Sequence, residues 1–366
     1  MKILFYIHGF SGGGAERVMA TLVNYYHDKG DLVSIGCDTS APSVYNLPPC
    51  PIFNIREGCY SQKRISRLHS YRFIHMLHNI RTIAERESPD VIVSFITDMN
   101  IFVLIALIGL RFPIIVCEHT NISRKIGLFK IIFRRLMYPL ASAVTVLTRR
   151  DYKLWRKKFN NVVYMPNPCD KQNFALNNIK RGNVILAAGR VDQWYIKGFD
   201  LLIKAWSNIS QNHPGWELHI AGNTTTQSIS ELSAVVSNFE KHHIKFLGFR
   251  NDVYDLMKCA NIFVLSSRTE GLPMVLIEAM NAGDCCIAFD IRTGPNEIIR
   301  HEFNGILVPE GDTNAMQNWI SKLITDVELR NRLSANAPKS MKKYSLERIM
   351  NRWDILFKTI LIHKHI

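Results

Sequence analysis

The chain has 366 residues, too many for one compact core and suited to two domains of roughly 100–200 residues each. With 47% hydrophobic and 21% charged residues it has a globular composition, which excludes a disordered chain and a membrane bundle. The net charge of +14 is uneven: through residue 170 there are 22 Lys and Arg against 12 Asp and Glu, and beyond it 23 against 19. A basic first half is expected to meet a polyanion: nucleic acid, a phosphorylated ligand or an anionic membrane.

The opening MKILFYIHGF is a short apolar run broken at His8-Gly9, the pattern of a buried first strand rather than a signal peptide. The longest apolar run, 101–110, is closed by Arg111 and Pro113 and is half of what a spanning helix needs. Eight Cys occur without CxxC or zinc-type spacing, and Cys285 adjoins Cys286, so reduced buried thiols are expected. These features predict a cytoplasmic chain, or one on the cytoplasmic side of a membrane.

Strand patterns fall at 3–7, 32–37, 91–95, 114–117, 144–147 and 162–165, with helical periodicity between them at 17–27 and 73–87. The alternation restarts at 184–188 and continues at 217–221, 244–247, 262–265, 285–289 and 305–308. Alternating strands and helices predict parallel sheets covered on both faces. Two doubly wound units follow, 1–170 and 183–344, separated by a polar stretch. An amphipathic helix over 345–361, carrying Trp353 and Phe357, is expected to cross back with the remaining residues to 366 and cover the first unit. Open parallel sheets bind ligands beyond the carboxyl ends of their strands, so two facing sheets would form a cleft.

Four strand ends carry unusual chemistry. After the first strand, Gly9-Phe10-Ser11-Gly12-Gly13-Gly14 leads into a helix, where backbone amides can approach a phosphate. The glycines do not form the G-x-G-x-x-G of a dinucleotide site, and only Asp38 is placed to take a ribose hydroxyl. A tight strand-to-helix turn explains the same residues. The fourth strand ends in Cys117-Glu118-His119-Thr120-Asn121, either a ligand site or a helix cap beside a surface His. Gly189-Arg190 and Lys197-Gly198-Phe199-Asp200 place two cations in a strand-end region, a diphosphate clamp or merely solvated loop charges.

The strongest signal is SSRTEGLPMVLIEAM, 266–280. Pro273 suits the first helical position, which would aim the amides near Gly271, Leu272, Met274 and Val275 at an anion. Glu270 and Glu278 would repel a phosphate they touched. They make sense if each accepts hydroxyl hydrogen bonds, one from a sugar and one from a ribose, while cations neutralise a diphosphate. Carboxylates that only complement the helix dipole are the plainer alternative.

Together these features resemble the retaining glycosyltransferases of the GT4 family, over essentially the whole chain. Glu270 and Glu278 match the family's E-x7-E pair, and GGAER at 13–17, GR at 189–190, KGFD at 197–200 and FLGFRNDV at 246–253 support it, as do GPNEII and NGILV. The resemblance implies a GT-B fold: two Rossmann-like doubly wound α/β domains facing across a cleft. It implies that Gly13 and Gly14 approach the donor phosphate and that Arg190 and Lys197 bind the diphosphate. Glu270 would hold donor-sugar hydroxyls, Glu278 the ribose, and Phe249 to Val253 the base, with Gly271, Leu272, Met274 and Val275 lining the donor site. His119 would lie near the reacting sugar. The residues expected at the chemistry are thus Glu270, His119, Arg190 and Lys197. Gln193-Trp194-Tyr195 make the Arg190–Lys197 spacing longer than in several members.

The family implies front-side attack with retention and neither metal nor cofactor, the nucleotide sugar being a co-substrate, with UDP favoured over GDP. SFITDMNI and EHTNISR resemble most closely the members that extend polyprenyl-diphosphate-linked oligosaccharides, as in O-antigen or other surface glycan assembly. Those members use a basic helix for the acceptor pyrophosphate, which implies that role for Lys63, Arg64, Arg67 and Arg72. Residues 60–86 and 124–138 mix basic and apolar side chains, as do segments that rest on an anionic membrane face. A peripheral protein at the inner face of the membrane is expected, with no nucleic acid partner. The rival readings are an epimerase of the same fold, a dinucleotide-dependent enzyme, or a nucleic-acid-binding protein. The last leaves Glu270 to Met280 unexplained.

Overall fold

A computed structural model of the chain describes residues 1–58, 68–120, 127–169 and 181–364. Lys63, Arg64 and Arg67 therefore lie outside the described residues. The chain divides into two compact units, Met1–Pro168 with Glu347–Ile366, and Cys169–Leu346.

The first unit runs β1 (Lys2–Tyr6), α1 (Gly14–Asp28), β2 (Leu32–Cys37), β3 (Ile52–Asn54), α2 (Leu68–Glu87), β4 (Val91–Phe95), α3 (Thr97–Ala106), β5 (Ile114–Glu118), α4 (Leu128–Met137), β6 (Ala143–Val146), α5 (Arg149–Arg156) and β7 (Val162–Tyr164). Its sheet has the order β3-β2-β1-β4-β5-β6-β7, with every pairing parallel. The strands β4 and β5 are buried at every position, as expected of strands covered on both faces. The short edge strand β3 was not signalled: IFN is three residues long, follows Pro51 and stays partly exposed.

The second unit runs β8 (Val184–Ala188), α6 (Trp194–Lys197), α7 (Phe199–Ser207), β9 (Glu217–Ala221), α8 (Thr226–Ser233), β10 (Ile244–Gly248), α9 (Val253–Cys259), β11 (Ile262–Leu265), α10 (Met274–Asn281), β12 (Cys285–Asp290), α11 (Pro295–Ile298), β13 (Ile306–Pro309), α12 (Thr313–Thr325) and α13 (Val327–Met341). Its parallel sheet is ordered β10-β9-β8-β11-β12-β13. The last helix, α14 (Leu346–Lys364), packs on α1. There Trp353 and Phe357 are buried, Phe357 meets the Tyr26 ring at 5.2 Å, and Asp354 accepts from the Tyr26 hydroxyl at 3.1 Å and Lys29 Nζ at 2.6 Å.

Strand order places the chemistry. In each sheet the winding reverses once, between β1 and β4 and between β8 and β11. At such a switch the two connections leave in opposite directions and open a crevice at the carboxyl ends. The Gly-rich loop and His119 belong to the first sheet's strand ends, and Arg190, Lys197 and Glu270 to the second's. Cys37, Cys117, Cys169, Cys285 and Cys286 are buried, and burial pushes the Cys285 thiol up to about 12. Among the described residues no helix is long and apolar enough to cross a membrane.

Candidate active site

In the second unit, the segments after β8 and β11 meet through two ion pairs, the first of them at Glu270. Lys197 Nζ lies 2.8 Å from Glu270 Oε1, with the side chains 23% and 12% exposed. Ser267 Oγ donates to the same carboxylate oxygen at 2.7 Å, and Thr293 Oγ1 donates to Glu270 O at 2.8 Å. The sequence expectation kept the cation and the carboxylate for different parts of a ligand. In this structure each holds the other.

Lys197 is placed by the segment that carries Glu270. Arg268 forms a two-pronged pair with Asp200, both bonds 2.7 Å, and donates to Tyr195 O at 2.5 Å, with its guanidinium 4.1 Å from the Tyr195 ring centroid. Arg268 N also donates to Ile196 O at 2.9 Å, and Ser266 Oγ to Lys197 O at 3.0 Å. Gly198 has φ +65, and a Cβ there would sit 1.9 Å from Ser266 O. The residues that lengthen the Arg190–Lys197 spacing fold into one turn over Val191–Gln193 followed by α6, held by Trp194 Nε1 donating to Glu231 at 2.7 Å. The insertion therefore shapes the base under Lys197. Arg268 was not singled out from the sequence, because its partner Asp200 is 68 residues away.

Pro273 stands one residue earlier than expected, as the N-cap of α10 rather than its first residue. Leu276 N and Ile277 N bond to Pro273 O at 3.2 and 3.3 Å, while the amides of Met274 and Val275 precede that ladder. Leu272 and Met274 are buried, and Glu278 is 1% exposed within α10. Gly294, at φ +99, lies so close to Gly271 O and Pro273 Cδ that a Cβ would meet both at 2.7 Å. This explains GPNEII: the glycine lets the segment after β12 buttress the Glu270 turn.

Arg190 follows β8 and pairs with Asp192 at 2.6 Å. The strand ends step across the sheet through three glycines: Gly189 N bonds Ala221 O at 2.9 Å and Gly222 N bonds Gly248 O at 2.8 Å. A Cβ on Gly222 would lie 1.6 Å from Gly189 O. Phe249, next along this row, is 55% exposed beyond β10, and Val253 opens α9.

In the first unit, Gly13 is the N-cap of α1 and Gly14 its first residue. The loop amides are partly occupied from within: Glu16 accepts from Gly12 N at 2.7 Å and Gly13 N at 3.0 Å. Asp38 pairs with Arg56 at 3.1 Å. Arg72 is exposed on α2. His119 stacks on Phe95 with ring centroids 4.9 Å apart, and burial pushes its pKa down to about 3. Its imidazole is therefore neutral through the physiological range.

Beneath His119 lies a network that the sequence did not reveal. Glu118, buried, accepts from the Tyr138 hydroxyl at Oε1 and from Thr97 and Thr120 Oγ1 at Oε2, at 2.9 and 3.2 Å. Asn100 Nδ2 reaches Cys117 O at 3.1 Å and the Tyr138 hydroxyl at 3.3 Å. SFITDMN and EHT are thus two halves of one buried cluster, with Ile96 in the first of them at φ +76. Burial raises the Glu118 pKa, against the opposing hydrogen bonds from Tyr138, Thr97 and Thr120. The folded chain then retains a proton that the unfolded chain releases above the ordinary carboxyl value of 4.5, so this group's contribution to stability falls as pH rises from there. Glu118→Gln removes that loss and is expected to gain stability over the parent, more at about pH 8 than at about pH 5. Thermal melts at both pH values check this, and an equal difference at both would show that Glu118 does not titrate between them.

Comparison with known proteins identifies the class. The model "Glycosyltransferase Family 4" matches residues 12–173, and "Glycosyl transferases group 1" matches residues 170–340. A Campylobacter jejuni α-1,4-N-acetylgalactosaminyltransferase, named for its diphospho-undecaprenol-linked glycan substrate, is 29% identical over 96% of this chain and 97% of its own length. The amylovoran biosynthesis glycosyltransferase AmsD of Erwinia amylovora is 29% identical over 97% and 99%. Among solved structures, Anabaena HepE in complex with UDP aligns with TM-score 0.79, 19% identity and coverage of 98% and 100%. Sucrose-phosphate synthase from Thermosynechococcus elongatus aligns at 0.80, 18%, 99% and 100%. Two parallel-sheet α/β units of this kind have the GT-B fold, and the two family models, which together span residues 12–340, make the chain a glycosyltransferase. Within that class, the chain belongs to the GT4-like glycosyltransferases.

Proposed function

We propose that the protein is a retaining glycosyltransferase that moves a sugar from a UDP-sugar to a polyprenyl-diphosphate-linked oligosaccharide, without a metal, at the inner face of the membrane. The carrying observation is the Lys197–Glu270 pair at the β8/β11 switch, beside the α10 amides. It joins a cation for a diphosphate to a carboxylate for sugar hydroxyls at the place where a doubly wound sheet takes its ligand. The similar transferases named for undecaprenol-linked acceptors support the acceptor class, and HepE with UDP supports the nucleotide.

The acceptor oxygen attacks the anomeric carbon from the face on which UDP departs. The bond from that carbon to the phosphate oxygen breaks, and a leaving-phosphate oxygen takes the acceptor's proton. Lys197, Arg190 and the Met274 and Val275 amides stabilise the growing negative charge, the part a metal plays elsewhere. Glu270 orients the sugar and Glu278 the ribose.

Thermal melts with UDP, GDP and their sugars provide the first test, because a ligand that binds only the folded state stabilises it by mass action. UDP-sugars are expected to raise Tm most, with or without EDTA. With the stabilising donor and a polyprenyl-diphosphate-linked glycan, NMR should show an unchanged anomeric configuration in the product. Inversion, or stabilisation that requires a divalent cation, would refute the mechanism.

A further inference from the structure

The helix α4, LFKIIFRRLM, carries its apolar residues on the wrong side for a soluble surface helix. At 100° per residue, Leu128, Phe129, Ile132 and Leu136 share one stripe, flanked by Ile131, and an ordinary amphipathic helix would bury that stripe. Here Leu128 is 72% exposed, Phe129 69%, Leu136 59%, Ile132 47% and Ile131 42%. Two of its three charges face the protein instead. Lys130 Nζ pairs with Asp98 on α3 at 2.8 Å, and the Arg134 guanidinium lies 4.8 Å from the Trp155 ring centroid. Phe133 and Met137 pack against the core. Exposed apolar residues continue on α2, with Ile74 64% and Tyr71 60% exposed, and α2 also packs on α3, where Phe73 meets Phe102 at 5.1 Å.

We propose that the outward stripe of α4 inserts into the interfacial layer of an anionic bilayer. A contiguous apolar surface on a soluble domain marks an interaction site, and a helix lying flat in the interface buries such a stripe among the lipid acyl chains. Charge selects the partner. The helix has no acidic residue, Arg135 is exposed beside the stripe, and the first 170 residues carry the larger share of the +14. An anionic surface attracts this charge, whereas a second copy of the same basic chain repels it. The inference rests on the lipid-linked acceptor proposed above and adds the element that reaches the lipid. In chain order α4 is the next helix after β5 and His119.

The sequence alone suggested basic amphipathic segments on an anionic membrane face, with the cations supplying the attraction. The inserted stripe makes a different prediction: vesicle binding retains a large component at high salt, because burial of apolar area is not screened.

The test uses Phe129→Glu, Ile132→Glu and their double variant, at positions whose exposure leaves the fold intact, with Phe129→Leu as the conservative control. Each protein is floated with vesicles of phosphatidylethanolamine and phosphatidylglycerol. Each is also assayed on a polyprenyl-diphosphate-linked acceptor embedded in such vesicles and on a short-chain, water-soluble analogue. The Glu variants are expected to lose about 10-fold or more in vesicle binding and in turnover of the embedded acceptor. They should match the parent on the soluble analogue and in Tm, and Phe129→Leu should match it throughout. Unchanged flotation of the double variant would overturn the proposal. So would a concentration-dependent dimer that the Glu substitutions dissolve, since a second copy would then cover the stripe. Binding that follows the prediction while neither acceptor is turned over would refute the acceptor reading and leave the inserted helix standing.

Discussion

Lys197→Ala and Glu270→Ala are each expected to reduce turnover by about 100- to 1,000-fold while the protein stays folded. Both side chains belong to one ion pair, 2.8 Å apart and only partly buried, so breaking it costs stability little. Its chemical cost is larger because both ends face the proposed donor. The two variants should differ in binding. Lys197→Ala loses the Tm rise given by UDP, since the lost group holds phosphate. Glu270→Ala keeps that rise and loses only the increment that UDP-sugar adds over UDP. The double variant should be no slower than the worse single one, because groups that act as a unit are not additive. Near-parental turnover in either single variant would move the site elsewhere.

Gly198→Ala is expected to be strongly damaging to the second unit. Its left-handed backbone disfavours any Cβ, and here the Cβ would sit 1.9 Å from the backbone oxygen of Ser266. Relief requires the turn after α6 to move away from the segment holding Glu270, and Lys197 moves with it. The expected cost is about 3 kcal/mol, or roughly 6–12 °C in Tm for a unit of this size, with a loss of UDP binding. Gly215 supplies the internal control: it too has positive φ, +90, but nothing lies within 4 Å of its added Cβ. Gly215→Ala should show only the backbone preference, about 1 kcal/mol, with nucleotide binding intact. Equal effects at the two positions would show that the contact with Ser266 does not matter.

The extent to which the site was legible depended on the range of its interactions. Glu270, Glu278 and Pro273 lie within nine residues on one strand–turn–helix, so local pattern placed them, with Pro273 off by one position. The Glu118 cluster was hidden because Thr97 and Asn100 on α3, Glu118 and Thr120 at the end of β5, and Tyr138 after α4 meet only in the folded unit. Gly222 gave no signal in its own segment, since the backbone it must avoid belongs to Gly189.

The amino-acid sequence by itself determined the alternation of strands and helices, the two-unit organisation and the residues at the strand ends. Period, capping chemistry and glycine placement act over a few residues and need no partner. Strand order was decided only by the tertiary structure, and with it the pairing of Lys197 with Glu270 across 73 residues. So was the direction of the α4 stripe. Periodicity shows that a helix has an apolar side, but only packing decides whether that side meets the core. In α4 the anchors Lys130–Asp98 and Arg134–Trp155 turn it outward.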